Sequence, residues 1–278
     1  KVWNPIRGCS RVSAGCEHCY AERQAARFCG SGGPYEGLVR STAAGPRWTG
    51  EVRVVDSLLD APLHWSAPQR IFVNSMSDLF HESLSPSDIA RVFSVMGSTA
   101  CRGHVFQCLT KRAQRMREVM PEVSSILTAE GRAPFGPAWR CVWIGVSVEN
   151  QASADERIPH LLATPAPVRW VSYEPAIGPI DWSAGIGELS WMVIGGESGP
   201  HARPFDLAWA RQTIAACRAA SVPVFVKQLG ARPCAASAGC PECRGLGVSL
   251  VDSGMGNGSR IEGQCPRCYG GGTLGFEH

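Results

Sequence analysis

Short apolar runs alternate with helix-forming segments along most of this chain, and that alternation restricts its possible folds more than any other feature. A first strand over 3–8 is followed by predicted strands at 70–75, 105–110, 141–146, 168–173, 191–194 and 223–227. Predicted helices lie between them at 21–28, 85–97, 111–120, 151–162 and 206–219. Strands separated by helices pair in parallel through right-handed crossovers. The pattern therefore predicts an α/β fold, a full or partial parallel (β/α) barrel.

A three-cysteine motif follows the first predicted strand. Cys9, Cys16 and Cys19 have the spacing C-x6-C-x2-C and offer three thiolates with no obvious fourth ligand nearby. A structural zinc ion takes four protein ligands, whereas an iron-sulfur cube held by three cysteines leaves one iron free to bind something else. The alternatives are a zinc site completed by His18 or by a distant residue, and unrelated core cysteines.

Several stretches together resemble one family. These are Val2-Trp3-Asn4-Pro5 with the cysteine motif, Thr110-Lys111-Arg112, Gly195-Gly196-Glu197-Ser198-Gly199 and Lys227-Gln228. The family is a group of phage and actinobacterial three-cysteine proteins similar to radical S-adenosylmethionine enzymes. The superfamily usually has the spacing C-x3-C-x2-C. The resemblance implies a barrel of the radical S-adenosylmethionine type over residues 1–230, a [4Fe-4S] cluster on the three cysteines, and S-adenosylmethionine as the second cofactor.

Polar residues at the predicted strand ends supply candidate cofactor contacts, because the functional groups of such barrels collect there. After the second strand come Asn74, Ser75, Ser77 and Asp78. The resemblance implies that Ser75, Ser77 and Asp78 meet the methionine end of the cofactor, and that Ser147, Glu149 and Asn150 meet its ribose. Gly195 and Gly196 would let the backbone approach the ligand, and Glu197 completes the set. Glu174 is either a further contact or the ion-pair partner of Lys227.

The predicted substrate is nucleic acid, DNA or RNA, with an external electron donor as the second partner. A basic cluster opens the helix after the third strand, and it comprises Lys111, Arg112, Arg115 and Arg117. The superfamily member with the most similar logic is spore photoproduct lyase, which implies repair of a thymine photoproduct in DNA. Cys108 and Cys141 are candidate hydrogen donors, with burial as small apolar side chains the alternative, and Tyr173 is a candidate for stacking on a base.

The tail, residues 231–278, is predicted to be a separate zinc ribbon. Two copies of C-x2-C-x-G-x-G, similar to the zinc-binding repeat of DnaJ chaperones, supply four thiolates for one Zn²⁺ ion. These cysteines are Cys240, Cys243, Cys265 and Cys268. The ribbon either binds nucleic acid or a partner, or staples a segment that has no core of its own.

Composition adds few restrictions. The 278 residues carry a net charge of only +3, which does not by itself argue for nucleic acid. No apolar run is long enough for a membrane span and no secretory signal is visible, so the 13 cysteines read as metal ligands and core thiols of a cytoplasmic protein. Two rival functions remain open. They are a radical enzyme acting on tRNA, a peptide or a small molecule, and a non-catalytic, metal-stapled binding protein.

Overall fold

The computed structural model describes residues 1–132, 134–136 and 139–234, together with two strands at 248–252 and 260–264. The α-helices of these residues are α1 (Tyr20–Ala26), α2 (Asp56–Leu59), α3 (Pro86–Met96), α4 (Ala113–Ala129), α5 (Gln151–Ala163) and α6 (Leu207–Ala219). The strands are β1 (Val2–Trp3), β2 (Ile6–Arg7), β3 (Val39–Thr42), β4 (Gly45–Trp48), β5 (Arg53–Val54), β6 (Arg70–Val73), β7 (Val105–Thr110), β8 (Val142–Val148), β9 (Val168–Tyr173), β10 (Trp191–Gly195), β11 (Phe205–Asp206), β12 (Val224–Gln228), β13 (Pro233–Cys234), β14 (Val248–Asp252) and β15 (Arg260–Gln264).

The predicted α/β class is confirmed. Seven of the described strands form one sheet in the order β1-β6-β7-β8-β9-β10-β12. The pairs β1 with β6, β6 with β7, β7 with β8, and β10 with β12 are parallel. Within the described residues β1 and β12 are the terminal strands of this sheet, so it does not close on itself. Of the two predicted forms, a full and a partial barrel, the sheet is therefore the partial one.

Two compact units divide the chain by their internal contacts. The first consists of Lys1–Val148, Ala152–Ser172 and Glu188–Trp191. The second consists of Glu149–Gln151, Tyr173–Gly187 and the chain from Met192 onward. The predicted cysteine motif lies in the first unit, and the Gly-Gly-Glu stretch lies in the second.

The main core of the first unit lies around α3. Its start is fixed by a capping box, in which the Ser85 hydroxyl accepts from the Asp88 amide at 3.1 Å and Asp88 accepts from the Ser85 amide at 3.1 Å. Phe93 of this helix is fully buried, and its ring lies 6.4 Å from that of Phe80. Burial of each such ring contributes about 1.5–3 kcal/mol. This packing fixes the segment between β6 and α3, which carries several candidate site residues.

A smaller core holds the cysteine motif. The members of this core are Ala21, Ala25, Tyr35, Leu38, Trp48 and Met76, and Cys9, Cys19 and Cys29 pack against it. The antiparallel hairpin of β3 and β4 contributes Trp48 to this core. Residues 30–50 thus contain a hairpin whose apolar residue packs beside α1.

The predicted zinc ribbon stays a prediction. Its four cysteines, Cys240, Cys243, Cys265 and Cys268, lie outside the described residues. Between the two cysteine pairs, β14 and β15 are antiparallel partners. Among the described helices, none has the length and apolar character needed to cross a bilayer.

Candidate functional site: a cysteine loop at the end of strand β6

Both ends of the cysteine loop, residues 9–19, are fastened to the turn that follows β6. Gly8, directly before the loop, forms a parallel bridge with Ser77. Tyr20, directly after it, donates its hydroxyl to the Ser75 carbonyl oxygen at 2.7 Å. The three cysteines therefore lie at the carboxyl end of a parallel strand, the edge at which functional groups collect in α/β folds.

Glycine is the one residue type that fits at position 8, where the loop starts. Its φ is +89°, and a Cβ atom added there would lie 2.1 Å from the Glu51 carbonyl oxygen. No side chain can occupy that space without moving the backbone of another segment.

The three thiols influence one another electrostatically. Burial, and after it the charge of Asp78, raises the pKa of Cys9 to about 12; Arg112 acts in the opposite direction, and Cys19 and Cys16 make smaller contributions that raise the pKa. Burial also raises the pKa of Cys19, and the Cys16 thiol adds to that effect. Metal binding to this loop must therefore displace protons from the thiols, as it does in other thiolate sites.

The donor atoms of this loop are of the kind that bind an iron-sulfur cluster. Within the described part of the chain, no three His, Cys, Asp or Glu side chains are already arranged around a metal position. Thiolates are nonetheless the ligands of iron-sulfur clusters, and three of them on one loop match a cluster with three cysteine ligands.

Asp78 is held by hydrogen bonds from the protein itself. Its Oδ1 accepts from the Phe80 amide at 3.0 Å and from the Thr110 hydroxyl at 2.7 Å. Its Oδ2 accepts from the Lys111 amide at 3.2 Å. The predicted contact of Asp78 with the methionine end of a cofactor would compete with these bonds, so we assign the carboxylate to the fold of the site.

Arg112 joins Asp78 to the cysteine loop. Its Nη1 donates to Asp78 Oδ2 at 3.1 Å and lies 3.9 Å from Cys9 Sγ. Its Nη2 donates to the carbonyl oxygen and the hydroxyl of Ser10, at 3.1 and 2.7 Å. Its Nε donates to Glu82 at 2.9 Å. The guanidinium is thus fully engaged at the first cysteine.

A histidine supports the same segment. The Ser83 amide donates to His81 Nδ1 at 3.2 Å, which assigns the ring hydrogen to Nε2. Nε2 then donates to the Ser10 hydroxyl at 2.9 Å. Burial, and after it the charge of Arg112, lowers the pKa of His81, so the imidazole is neutral in this arrangement.

Asn74 is the exception in an otherwise satisfied site. It follows β6 directly, it is 4% exposed, and its φ of +60° lies in the left-handed region. Within the described residues, neither its Oδ1 nor its Nδ2 has a hydrogen-bond partner. Buried polar groups in folded proteins are nearly always paired, so an orphaned amide beside a candidate site points to a missing ligand or water.

The profile of one protein family, described as a protein of unknown function (DUF5131), matches residues 1–257. The chain belongs to the DUF5131 family. The matched range includes the whole cysteine loop and ends before Cys265 and Cys268 of the predicted zinc ribbon. Neither the curated proteins nor the solved structures contain a match to this DUF5131 protein.

The other predicted cofactor contacts of the first unit have partners inside the protein. The Ser75 hydroxyl donates to Asn4 Oδ1 at 3.2 Å, and the Ser77 hydroxyl donates to the Ile6 carbonyl oxygen at 2.9 Å. Ser147 is buried, and its carbonyl oxygen accepts from Arg157 at 2.7 Å. In the sequence, Asn74 is recognisable only as a strand end, although an asparagine directly after a β-strand is compatible with a left-handed backbone.

In the second unit, the space beside the Gly-Gly pair is filled by protein. A Cβ atom on Gly195 would lie 2.9 Å from the Glu174 carboxylate. One on Gly196 would lie 2.4 Å from the Leu229 carbonyl oxygen. These glycines were predicted to let a ligand approach the backbone. In the structure they let another part of the chain approach it.

Both glutamates of this region are ion-paired. Glu197 accepts from Arg203 Nη2 at 2.7 Å and from Arg203 Nε at 3.0 Å. Glu174 accepts from Lys227 Nζ at 2.9 Å and from Gln228 at 3.0 Å. Of the two predicted roles of Glu174, the ion pair is confirmed.

The predicted ribose contacts Glu149 and Asn150 follow β8. Glu149 is buried, and its carbonyl oxygen accepts from the Ile177 amide at 2.9 Å. The Asn150 Cβ atom lies 3.1 Å from the position that a Cβ of Gly178 would occupy. Their role in cofactor binding remains a prediction.

The predicted hydrogen donors pack against α3. Cys108 Sγ is buried 3.7 Å from Met96 Sδ, and Cys141 Sγ lies 4.0 Å from the Met96 carbonyl oxygen. Tyr173 is fully buried and donates its hydroxyl to the Gly178 carbonyl oxygen. These contacts favour the alternative interpretation of Cys108 as a core residue, and Tyr173 is buried in the same way. Cys141 is half-buried.

The predicted basic cluster is not a single surface. Arg112 is 6% exposed and bound to carboxylates, an arrangement that disfavours its predicted contact with a phosphate. Arg115 and Lys111 are half-buried, and Arg115 donates to the Leu84 carbonyl oxygen at 3.4 Å. Arg117 is exposed.

Proposed function

We propose that this protein is a radical S-adenosylmethionine enzyme whose [4Fe-4S] cluster is held by Cys9, Cys16 and Cys19. The observation that carries the proposal is the position of the cysteine loop, which is fastened at both ends to the turn after β6. The motif supplies three thiolates and leaves a coordination position for a second ligand.

The residues around this loop suit a small polar ligand. Bound there, the cluster would supply reductive cleavage of S-adenosylmethionine to methionine and a 5′-deoxyadenosyl radical, using one electron from an external donor. The Asn74 amide, without a partner in the described residues, offers one donor and one acceptor for the amino and carboxylate groups of the methionine moiety. Asp78 and Arg112 hold the loop and the turn in place beside it.

Nucleic acid is the substrate class that the surface of the first unit favours. Tyr20 and Phe28, at the two ends of the α1 segment, are 55% and 49% exposed. Arg23 and Arg27 are exposed between and beside them. Exposed aromatic rings interleaved with arginines are typical of surfaces that bind single-stranded nucleic acid, where bases stack on the rings and phosphates pair with the cations. We extend the proposal to a radical reaction on a base of DNA or RNA.

The test is anaerobic reconstitution with iron and sulfide, followed by reduction with dithionite in the presence of S-adenosylmethionine. We expect four irons per chain on the loop and formation of 5′-deoxyadenosine, with both lost in Cys16→Ala. Cys29→Ala is the matched control, because Cys29 packs against the same small core and lies outside the motif. Zinc on the loop of the wild type, with no iron-sulfur spectrum and no 5′-deoxyadenosine, would identify the rival binding protein.

A further inference from the structure

Arg112 stands out in the first unit because its buried cation lies beside one of the three motif sulfurs. Its residue is 6% exposed, and Nη1 lies 3.9 Å from Cys9 Sγ. Arginine carries its charge at any accessible pH. A permanent positive charge is therefore fixed beside the first proposed cluster ligand.

Several contacts hold that charge in place. Asp78 and Glu82 bind two different nitrogens of the guanidinium, at 3.1 and 2.9 Å. Asp78 is in turn oriented by Thr110 at 2.7 Å. A buried ion network of this kind contributes little net stability, because desolvation offsets its Coulomb attraction, so a role in specificity or function is the better explanation for it.

The same side chain fixes the backbone of the loop. Nη2 donates to both oxygens of Ser10, and His81 also donates to the Ser10 hydroxyl. The residue that follows Cys9 therefore has its carbonyl and its hydroxyl held by buried side chains. Cys9 is thereby given a fixed position relative to the guanidinium.

From this geometry we infer that Arg112 is a positioning residue that holds the first cysteine of the loop and raises the reduction potential of the cluster bound there. The inference rests on the proposed function. A cation and an N–H donor beside a ligand sulfur stabilise the more negative, reduced form of a cluster, which is how surrounding groups tune such centres. Asp78 and Glu82 are the anions that hold the cation, and Arg112 is the group that faces the sulfur.

The first experiment measures the loop without a cluster. In metal-free protein, hydrogen exchange of the backbone amides at 9–11 is expected to be faster in Arg112→Gln than in the wild type, by about tenfold for the loss of one charged hydrogen-bond network. Arg91→Gln is the control, because Arg91 pairs with Asp56 on the surface of the same unit and contacts no residue of the loop. Unchanged exchange in Arg112→Gln would overturn the positioning role, whatever the protein does with iron.

The second experiment measures the midpoint potential of the reconstituted cluster by electron paramagnetic resonance at equal iron loading. Arg112→Gln is expected to lower the equilibrium constant for reduction about tenfold, a shift of about 59 mV downward for one electron. Arg112→Lys keeps the charge and is expected to stay closer to the wild type. Equal shifts in both variants, or no shift in either, would overturn the electrostatic role.

Failure of the proposed function gives a different result. If the wild type assembles no cluster, the radical enzyme is excluded, and the electrostatic part of the inference falls with it. If the wild type loads and Arg112→Gln has the wild-type potential, only the inference about Arg112 is lost. If Arg112→Gln does not load, the potential of Arg112→Lys is the test. A value close to the wild type agrees with the electrostatic role, and a downward shift of about 59 mV despite the retained charge would overturn it.

Discussion

Asn74 combines two costs in one residue. Its backbone has φ of +60°, which non-glycine residues rarely adopt, and within the described residues its buried amide has no hydrogen-bond partner. An unpaired buried amide costs about 1–3 kcal/mol. Strain of this kind, kept beside a candidate site, is usually maintained for function at the expense of stability.

Replacement of Asn74 by glycine removes both costs. Glycine accepts the left-handed backbone and removes the unpaired amide, so we expect Asn74→Gly to raise the free energy of unfolding of the metal-free protein by about 1 kcal/mol. The same change should weaken S-adenosylmethionine binding to the reconstituted protein by about tenfold, measured by calorimetry.

A matched serine provides the control for that experiment. Ser77→Ala removes a hydroxyl that donates to the Ile6 carbonyl oxygen, so it should lower the free energy of unfolding in urea by about 1 kcal/mol. If Asn74→Gly is destabilised as much as Ser77→Ala, the amide is paired in the folded protein and its assignment to a ligand is wrong.

Asp78 is expected to be the most sensitive carboxylate of the first unit. Asp78→Asn keeps the shape but removes the charge that Arg112 faces at 3.1 Å, and breaking a buried ion pair costs about 3–5 kcal/mol. The exposed pair of Asp56 and Arg91 serves for comparison, because Asp56→Asn should cost less than about 1 kcal/mol. Urea denaturation of the two variants measures the difference, and equal losses would contradict the assignment of Asp78 as the centre of the network.

Single residues were the hardest part to predict from the sequence. Polar strand ends drew attention to Asp78 and Arg112, but their mutual contact joins positions that no spacing rule relates. Arg112 follows a lysine and precedes two further arginines, so the pattern favoured phosphate binding. Only the contacts of the guanidinium with Ser10 and Glu82 indicate that the side chain binds inside the protein instead.

At the scale of elements, strand bounds were predicted correctly where an apolar run lies between clear breaks. β7 and β9 have the predicted bounds, because each is an apolar run between clear breaks. The helix predicted to end at Met120 continues as α4 through Pro121 to Ala129. Proline normally interrupts a helix, but Val123 and Leu127 continue the buried face beyond it, and their burial outweighs the lost backbone bond.

The start of the cysteine loop depends on a glycine. Gly8→Ala places a Cβ atom 2.1 Å from the Glu51 carbonyl oxygen, so the loop must move, and we expect the free energy of unfolding to fall by about 2 kcal/mol or more. Iron loading should fall with it, because Cys9 follows directly. Gly32→Ala shares a left-handed φ, of +73°, but has no atom within 4 Å of the added Cβ. Gly32→Ala should lower the free energy of unfolding by only about 1 kcal/mol, the cost of backbone strain. A similar loss in both variants would mean that the backbone at Glu51 moves away at little cost.

For the whole molecule, net charge conceals an uneven distribution. Residues 1–53, which include the cysteine loop and the β3–β4 hairpin, contain eight basic and four acidic side chains, a net charge of +4 against +3 for the entire chain. The remaining residues are therefore slightly acidic. Average composition did not indicate a nucleic-acid surface, because the excess of positive charge is confined to the segment that carries the proposed cluster.

This distribution predicts where a single-stranded oligonucleotide binds. The double variant Arg23→Gln, Arg27→Gln should reduce the slope of log affinity against log salt by about 1.4, as expected for the loss of two phosphate contacts on single strands. Phe28→Ala should weaken binding by about 1–3 kcal/mol at every salt concentration, because it removes an exposed stacking ring and no charge, and it leaves the Tyr20 bond that fastens the cysteine loop. The double variant Arg91→Gln, Arg102→Gln makes the same change in net charge at exposed positions away from α1, and it should leave the slope close to that of the wild type. Fluorescence anisotropy with a labelled oligonucleotide distinguishes these cases. Equal slopes in the two double variants would show that binding follows net charge alone and that α1 is not the nucleic-acid surface.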